Sequence, residues 1–453
     1  MEQMTTAELI EAIGGRATQP LCESVSMIST DTRDLPRGCV FLALKGARFD
    51  GNEYAAEAVQ KGAVYAITER EIPDCPCVVV EDTAKALLAL GRYYRSKFSP
   101  VLIGVTGSVG KTTTKNMLAL TLGAKYKTMK TEGNFNNEIG LPKTLFRLEQ
   151  SHEAAVIEMG MSHFGEISRL SQTACPTAAV ITNIGFSHIG NLGSQEGILK
   201  AKLEVLDGMA PDAPLFVNGD DAHLAPLKET LGRPVITFAI ENKDADVRAE
   251  EIVTQGESVH FLAVTKEERV AVTLPCIGMH NVLNALAAYA IGRRFGMTGE
   301  EIAAALANYQ GEKLRQSVFT KDHKTVIVDC YNASPDSMRA ALLVLDEYPT
   351  EGRKIAVLGD MLELGEQSTT LHAAVGQLVA DTKPAMLFCF GKESAAIALE
   401  AANAGIPAQH FTEKEALAQA LLETLRDGDT VLFKASRGMR LEETVTAVFG
   451  TLR

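Results

Sequence analysis

The sequence predicts an α/β protein of three consecutive domains, spanning 1–98, 99–315 and 316–453, with a mostly parallel sheet in the central one. Strand-like apolar runs alternate with helix-like stretches along nearly the whole chain, the pattern of parallel sheets joined by helical crossovers. A length of 453 residues leaves room for two or three cores. Polar clusters fall just after several of the strand-like runs, where open α/β sheets bind their ligands.

In chain order, Thr6–Ile13 reads as a short amphipathic helix. A strand at Gly38–Leu44 is followed by the turn-rich loop Lys45–Asn52 and a helix at Glu53–Lys61. Strands at Ala63–Thr68 and Cys77–Val80 and a helix at Thr83–Lys97 complete a small α/β unit, with Ser99-Pro100 as linker. Strands are then expected at 101–106, 126–130, 154–159, 178–184, 213–218 and 234–239. Within Ala245–Leu274 the apolar residues Val259, Phe261, Ala263 and Val270, Val272, Leu274 alternate, which reads as a β excursion. Helices at Asn281–Phe295 and Gly299–Tyr309 close the central domain. After 316, strands at Thr325–Asp329, Ile355–Leu358, Ala385–Phe390 and Thr430–Phe433 alternate with helices as a Rossmann-like third domain.

Composition narrows the function. Apolar residues make up 46% and charged residues 22%, ordinary for a globular protein. A net charge of −13 gives a nucleic-acid partner no electrostatic support. The first residues lack the basic and apolar regions of a leader, and no apolar run reaches membrane-spanning length, so a cytoplasmic protein without membrane insertion is expected. The eight cysteines are scattered, and their one close pair, Cys75-Pro-Cys77, fits neither a zinc spacing nor a disulfide framework.

The most informative stretch is Thr106-Gly-Ser-Val-Gly-Lys-Thr112, set between the apolar run Val101–Val105 and a helix beginning at Lys111. Strand, glycine-rich turn and helix N-terminus converge backbone N–H groups and the helix dipole on an anion. Gly107, Ser108, Val109 and Gly110 form the cradle, Lys111 reaches the β/γ oxygens of a nucleotide, and Thr112 and Thr113 follow, with the Thr112 hydroxyl suited to Mg²⁺. A strict P-loop places a glycine at 105, where Val105 stands. The loop is therefore a variant anchored on Gly107 and Gly110. A fortuitous turn is the plain alternative, but the flanking strand and helix favour ATP.

Further segments complete an ordered set: Gly133-Asn-Phe-Asn-Asn137, Glu158-Met-Gly160, Asn183-Ile-Gly185 with His188, Ala201-Lys202 and His280-Asn-Val-Leu-Asn284. Together with the phosphate loop this set resembles the Mur ligases, ATP-dependent amide-forming enzymes of peptidoglycan precursor synthesis, nearly end to end. The stretches Asp329–Ser337, Leu358–Gly365 and Lys434–Met439 most resemble the members that join D-alanyl-D-alanine to UDP-N-acetylmuramoyl-tripeptide. Two positions depart from the family: Asn52 stands where histidine is common, and Cys330 where aspartate or serine is. Other ligases of the superfamily, the diaminopimelate- or lysine-adding enzyme and folylpolyglutamate synthase, are the nearest alternatives. The absence of an Asp-Asn-Pro-Arg motif argues against the diaminopimelate-adding one. A P-loop ATPase without ligase activity is the alternative from another class.

The resemblance implies an acyl-phosphate reaction, ATP with two Mg²⁺ ions, and a monomer. It assigns Thr112, Glu158 and His188 to the metal, although a buried capping carboxylate and a satisfied loop histidine are the plain readings of the last two. Asn281 and Asn137 are implied at the adenine, and Arg315 and Asp329 at phosphate and ribose. Ser29, Thr30, Arg33, Lys45 and Asp50 would face the uridine end. Asn134 and Asn136 would serve the substrate, and Tyr331, Asn332 and Ser334 would receive the dipeptide. On the helix Gln195–Glu204, Lys200 and Lys202 lie about 200° apart and cannot both face one site. The family's Ala-Lys pattern selects Lys202 and implies that it carries a carbamate, catalytic and metal-binding alongside Lys111, His188 and Glu158.

Overall fold

A computed structural model describes residues 1–46 and 49–450; Ala47 and Arg48, within the Lys45–Asn52 loop, lie outside the described residues. The chain forms two compact units, each assembled from discontinuous segments.

The first unit comprises Met1–Thr106, Lys125–Ala179 and Leu203–Pro214. Its opening helix, Thr6–Ile13, starts on a capping box. The Thr5 hydroxyl accepts the Glu8 N–H, the Glu8 carboxylate accepts the Thr5 N–H, and Gly14 closes the helix at φ 62°. A five-stranded sheet runs in the order Arg16–Ala17, Cys77–Val79, Tyr65–Thr68, Val40–Leu42, Ile28–Ser29, antiparallel only at its first pair. Small residues such as Cys39, Ala43, Ala55, Ala58 and Cys77 pack with Phe41 beneath it, letting the Ala55–Gln60 helix lie close. Asp82 caps the helix Thr83–Ser96 by accepting two backbone N–H groups. Three parallel strands follow, with Ala154–Glu158 between Val101–Thr106 and Thr128–Lys130.

The second unit comprises Gly107–Ala124, Val180–Lys202 and Leu215–Arg453. The helix Lys111–Gly123 opens it. Parallel strands Leu215–Asn218, Val235–Ala239 and Val247–Gln255 lead into an antiparallel meander through Ser258–Val264 and Arg269–Leu274. The predicted excursion is therefore three strands, and residues 269–274 alternate exposed and buried as one solvated face requires. A six-stranded sheet follows, ordered Ser317–Lys321, Lys324–Asp329, Thr430–Lys434, Lys354–Gly359, Met386–Phe390, Ala408–Phe411, antiparallel only at the first pair. Val326, Val328, Ile355, Phe388, Val431 and Phe433 fill one side of it. The carboxyl ends of its central strands present Asp329, Lys434 and the Gly359-Asp360 turn together, the edge at which doubly wound sheets bind.

Several expected boundaries require correction. The strand at 178–184 ends at Ile181, and that at 126–130 begins at Thr128. The helix 299–309 ends at Leu306. The edge strands Ser317–Lys321 and Ala408–Phe411, Ser-Val-Phe-Thr-Lys and Ala-Gln-His-Phe, do not alternate apolar and polar residues, so periodicity gives no sign of them. All eight cysteines are free thiols, five of them buried. Among the described residues no helix is long and apolar enough to cross a membrane.

Candidate active site

In the second unit the phosphate loop is held open by backbone geometry. Gly107 sits at φ 147° and Gly110 at φ 85°. A Cβ at 107 would stand 1.9 Å from the Thr182 hydroxyl, and one at 110 would stand 2.7 Å from Asn284 Oδ1. Both glycines are thus required by conformation and by space. Asn183 orders the loop from outside: its carbonyl accepts the Ser108 N–H at 3.1 Å and its Oδ1 the Val109 N–H at 2.9 Å. The Lys111 ammonium donates to the carbonyls of Gly107 at 2.8 Å and Ser108 at 3.3 Å, curled over the loop it serves. Thr112 is buried in the first helical turn, beside the exposed end of the helix dipole. Gly107→Ala should cost at least about 1–3 kcal/mol through clash and backbone strain and remove ATP-analogue binding. Thermal unfolding and equilibrium binding of the variant check this.

Lys202, near the end of the helix Gln195–Leu203, is 2% exposed. Burial, with the Lys111 charge added, holds its amine well below the ordinary lysine range. His188 adopts φ 63°, a left-handed conformation costly for a non-glycine residue. Its Nδ1 lies 2.7 Å from Glu363 Oε2 without the alignment of a hydrogen bond. Burial lowers the imidazole pKa, partly opposed by the Glu363 charge. A neutral imidazole is the form that ligates a metal.

His188 also lines a cleft of about 270 Å³ with Tyr331, Asn332, Ser334, Glu363 and Arg437. Ser334 caps the helix Pro335–Glu347 through the Ser337 N–H. Arg315 lays its guanidinium 3.8 Å over the Tyr331 ring. The buried Lys434 ammonium bonds Asp329 at 2.6 Å and the Asn332 carbonyl at 3.1 Å, tying two adjacent strand ends to the cleft wall. Asn281, also buried, donates to the Ile277 carbonyl at 2.8 Å and to Gln316 at 3.1 Å. The second unit thus gathers His188, Tyr331, Asn332 and Ser334, and adds Glu363, Ser436 and Arg437, which were not singled out from the sequence. The stretches 358–365 and 434–439, each directly after a strand, carried the signal for them.

The first unit holds the remaining candidates. Glu158 ends its strand 2% exposed, its Oε1 accepting from the Asn136 amide at 2.8 Å and its N–H donating to Thr131 Oγ1 at 3.0 Å. Asn137 Oδ1 accepts the N–H groups of Ile139 and Gly140 at the start of the next helix, and Asn134 lies in the exposed part of the same loop. The loop Ser29–Arg33 is organised by Asp31, which bonds the Ser29 hydroxyl through its N–H and Arg33 through its carboxylate, with Thr30 half-buried between them. Lys45 and Asp50 pair across a β-bridge. The Asn52 side chain, then Arg70, draws the Asp50 carboxyl down to about 2. Asn52 is itself buried, and its Oδ1 accepts the Glu69 N–H at 2.8 Å.

Among the described residues no group of three or more His, Cys, Asp and Glu could hold a metal ion. Mg²⁺ needs no such cage, since it is usually held by one or two protein oxygens together with phosphates and water. The Thr112 hydroxyl at the end of the phosphate loop fits that manner of binding.

A glycine-rich loop opening a helix and a cleft at the carboxyl edge of a largely parallel sheet are features of α/β enzymes that bind phosphate-bearing ligands. Comparison with known proteins specifies the kind. Three family models match in series: "Mur ligase family, catalytic domain" over 24–88, "Mur ligase middle domain" over 105–292, and "Mur ligase, glutamate ligase domain" over 314–437. The UDP-N-acetylmuramoyl-tripeptide–D-alanyl-D-alanine ligase of Bacillus subtilis is 39% identical over 98% of both chains. That of Escherichia coli is 34% identical over 99% of both. A crystal structure of MurF from Acinetobacter baumannii superposes with a TM-score of 0.93 at 34% identity, covering 99% of each chain. MurF from Thermotoga maritima in complex with ADP gives 0.84 at 30% identity, covering 93% of this chain and 96% of that one. The chain belongs to the Mur ligase family and has its three-domain α/β architecture.

Proposed function

We infer that this chain uses ATP to join D-alanyl-D-alanine to the terminal carboxylate of UDP-N-acetylmuramoyl-tripeptide, a cytoplasmic step of peptidoglycan precursor synthesis, as a monomer. The observation that carries this reading is end-to-end similarity to ligases of that name, 39% identical over 98% of the chain in one case. Domain limits of 1–98, 99–315 and 316–453 are supported by the three family models, over 24–88, 105–292 and 314–437, the last beginning two residues before the third limit.

The substrate carboxylate attacks the γ-phosphorus of ATP, ADP leaves, and the amine of the dipeptide then displaces phosphate from the acyl carbon. Bringing two anions together requires positive charge where negative charge accumulates. Lys111 supplies it at the β/γ oxygens, and the N–H groups of the 107–112 loop hold the phosphates in place. Mg²⁺ bound at Thr112, with Glu158, His188 and a carbamate on Lys202 as further ligands, would neutralise the same oxygens. Asn281, Asn137, Arg315 and Asp329 are assigned to the nucleoside and phosphate. Ser29, Thr30, Arg33, Lys45 and Asp50 are assigned to the uridine end, with Asn134 and Asn136 along the substrate. Tyr331, Asn332 and Ser334 are assigned to the dipeptide; the cleft they share with Arg437 offers a cation for its carboxylate. Excluding water there protects the acyl phosphate from hydrolysis.

Acceptor choice tests this assignment. D-Ala-D-Ala should be ligated efficiently, and single D- or L-amino acids should be poor acceptors. Efficient ligation of meso-diaminopimelate or glutamate would move the chain to a sister enzyme.

A further inference from the structure

The turn Thr182–His188, which orders the phosphate loop, is itself held from its other side. Asp336, at the start of the helix Pro335–Glu347, accepts the Phe186 N–H through Oδ2 at 2.9 Å. A Cβ at Gly185 would stand 2.0 Å from that oxygen and 2.7 Å from the Asp336 Cγ, and the three nearest atoms all belong to Asp336. Gly185 does not have positive φ, so its conformation does not demand glycine. Only the carboxylate lying across it does. One residue earlier, the Gly185 N–H donates to Ser108 Oγ at 2.9 Å, and the Ser187 hydroxyl donates to the Ser108 carbonyl at 3.3 Å. The same turn ends in His188.

We propose that Asp336 is a positioning residue for the nucleotide site: by holding the Phe186 N–H it fixes the 183–188 turn, and that turn fixes Ser108 and the direction of His188. Asp336 also lies in the first turn of its helix, where any carboxylate is favourable. A favourable charge at the helix N-terminus alone would affect stability without reaching the phosphate loop. The acceptor role makes a different demand, because a partly buried N–H deprived of its acceptor oxygen relaxes by moving its backbone.

The kinetic part of the proposal rests on the ligase reading, but nucleotide binding can be read separately. Asp336→Ala, Asp336→Asn, Gly185→Ala and the double variant Gly185→Ala/Asp336→Ala are compared in the full chain. The readouts are affinity for a non-hydrolysable ATP analogue, ATP KM and kcat, affinity for the UDP-linked substrate, and thermal unfolding. Asp336→Ala should weaken analogue binding about tenfold, with unchanged affinity for the UDP-linked substrate. Asp336→Asn, which keeps an acceptor oxygen, should stay near wild type. Gly185→Ala should be impaired alone yet add nothing to Asp336→Ala, since the atoms its Cβ meets are gone. Should the alanine variant not fold, Asp336→Ser, which keeps a polar side chain in the first helical turn but is too short to bond Phe186, gives the same reading. Unchanged analogue affinity in Asp336→Ala, equal loss in Asp336→Asn, or additive losses in the double variant would overturn the proposal. A wild-type chain that binds the analogue but never consumes ATP with the dipeptide would refute the ligase reading instead, leaving the binding comparison to decide the role of Asp336.

Discussion

Lys111→Ala should abolish ligation while leaving the UDP-linked substrate bound. The Lys111 ammonium sits over the loop with its protons on the Gly107 and Ser108 carbonyls, a position from which only a small swing is needed to reach phosphate oxygens. Charge develops on those oxygens as the carboxylate attacks, and removing one such donor typically costs about 10²–10³ in rate. The residues assigned to the uridine end lie in the first unit, where Arg33 is bonded by Asp31 and Asp50 by Asn52 and Arg70, whereas Lys111 belongs to the phosphate loop. Equilibrium binding of the nucleotide sugar and steady-state ligation by the same variant separate the two effects. Near wild-type ligation would remove the phosphate-loop assignment.

Lys202→Ala should lower activity by about a hundredfold, the scale on which groups around a bound metal act, and a short carboxylate should restore part of it. A buried ammonium beside Lys111 is unfavourable on both counts, which holds the amine well below the ordinary lysine range and favours its neutral, nucleophilic form. A neutral Nζ would add to CO₂, forming an N–C bond and releasing one proton, to give a monoanion whose two oxygens suit Mg²⁺. Acetate in the space left by the alanine variant supplies similar oxygens. The assay compares the variant with and without acetate, while intact mass under CO₂ reports the adduct on the wild-type chain. Undiminished activity in the variant, or free amine alone under CO₂, contradicts the carbamate.

Much of this was legible in the sequence because the decisive signals are local. Glycines at 107 and 110 followed by Lys111 announce a backbone shape, and the structure places a conformational and a steric reason at each. The strand ends at Glu158 and Asp329 follow from β-branched runs that stop where polar residues begin. What escaped depends on partners far apart in sequence. Asp336 is one acidic residue in a helix's first turn until Phe186 arrives from 150 positions away. Lys434 follows the expected strand Thr430–Phe433 and stands only as the head of a resembling stretch, yet it is buried against Asp329 from 105 positions earlier. The edge strands escaped as well, since neither Ser-Val-Phe-Thr-Lys nor Ala-Gln-His-Phe alternates apolar and polar residues. Asn137 escaped in another way: its side chain caps the Gly140–Leu145 helix in this structure, a local role that no motif announces.

The central claim is that ATP is consumed to make one particular amide bond. ADP release measured with UDP-N-acetylmuramoyl-tripeptide, in the presence and absence of D-alanyl-D-alanine, tests it most directly when paired with the mass of the product. The account predicts sustained ADP release only with the dipeptide present, one ADP per product molecule, and a product heavier by the dipeptide less one water. Sustained ADP release that ignores the dipeptide, or that proceeds without a ligated product, would contradict it.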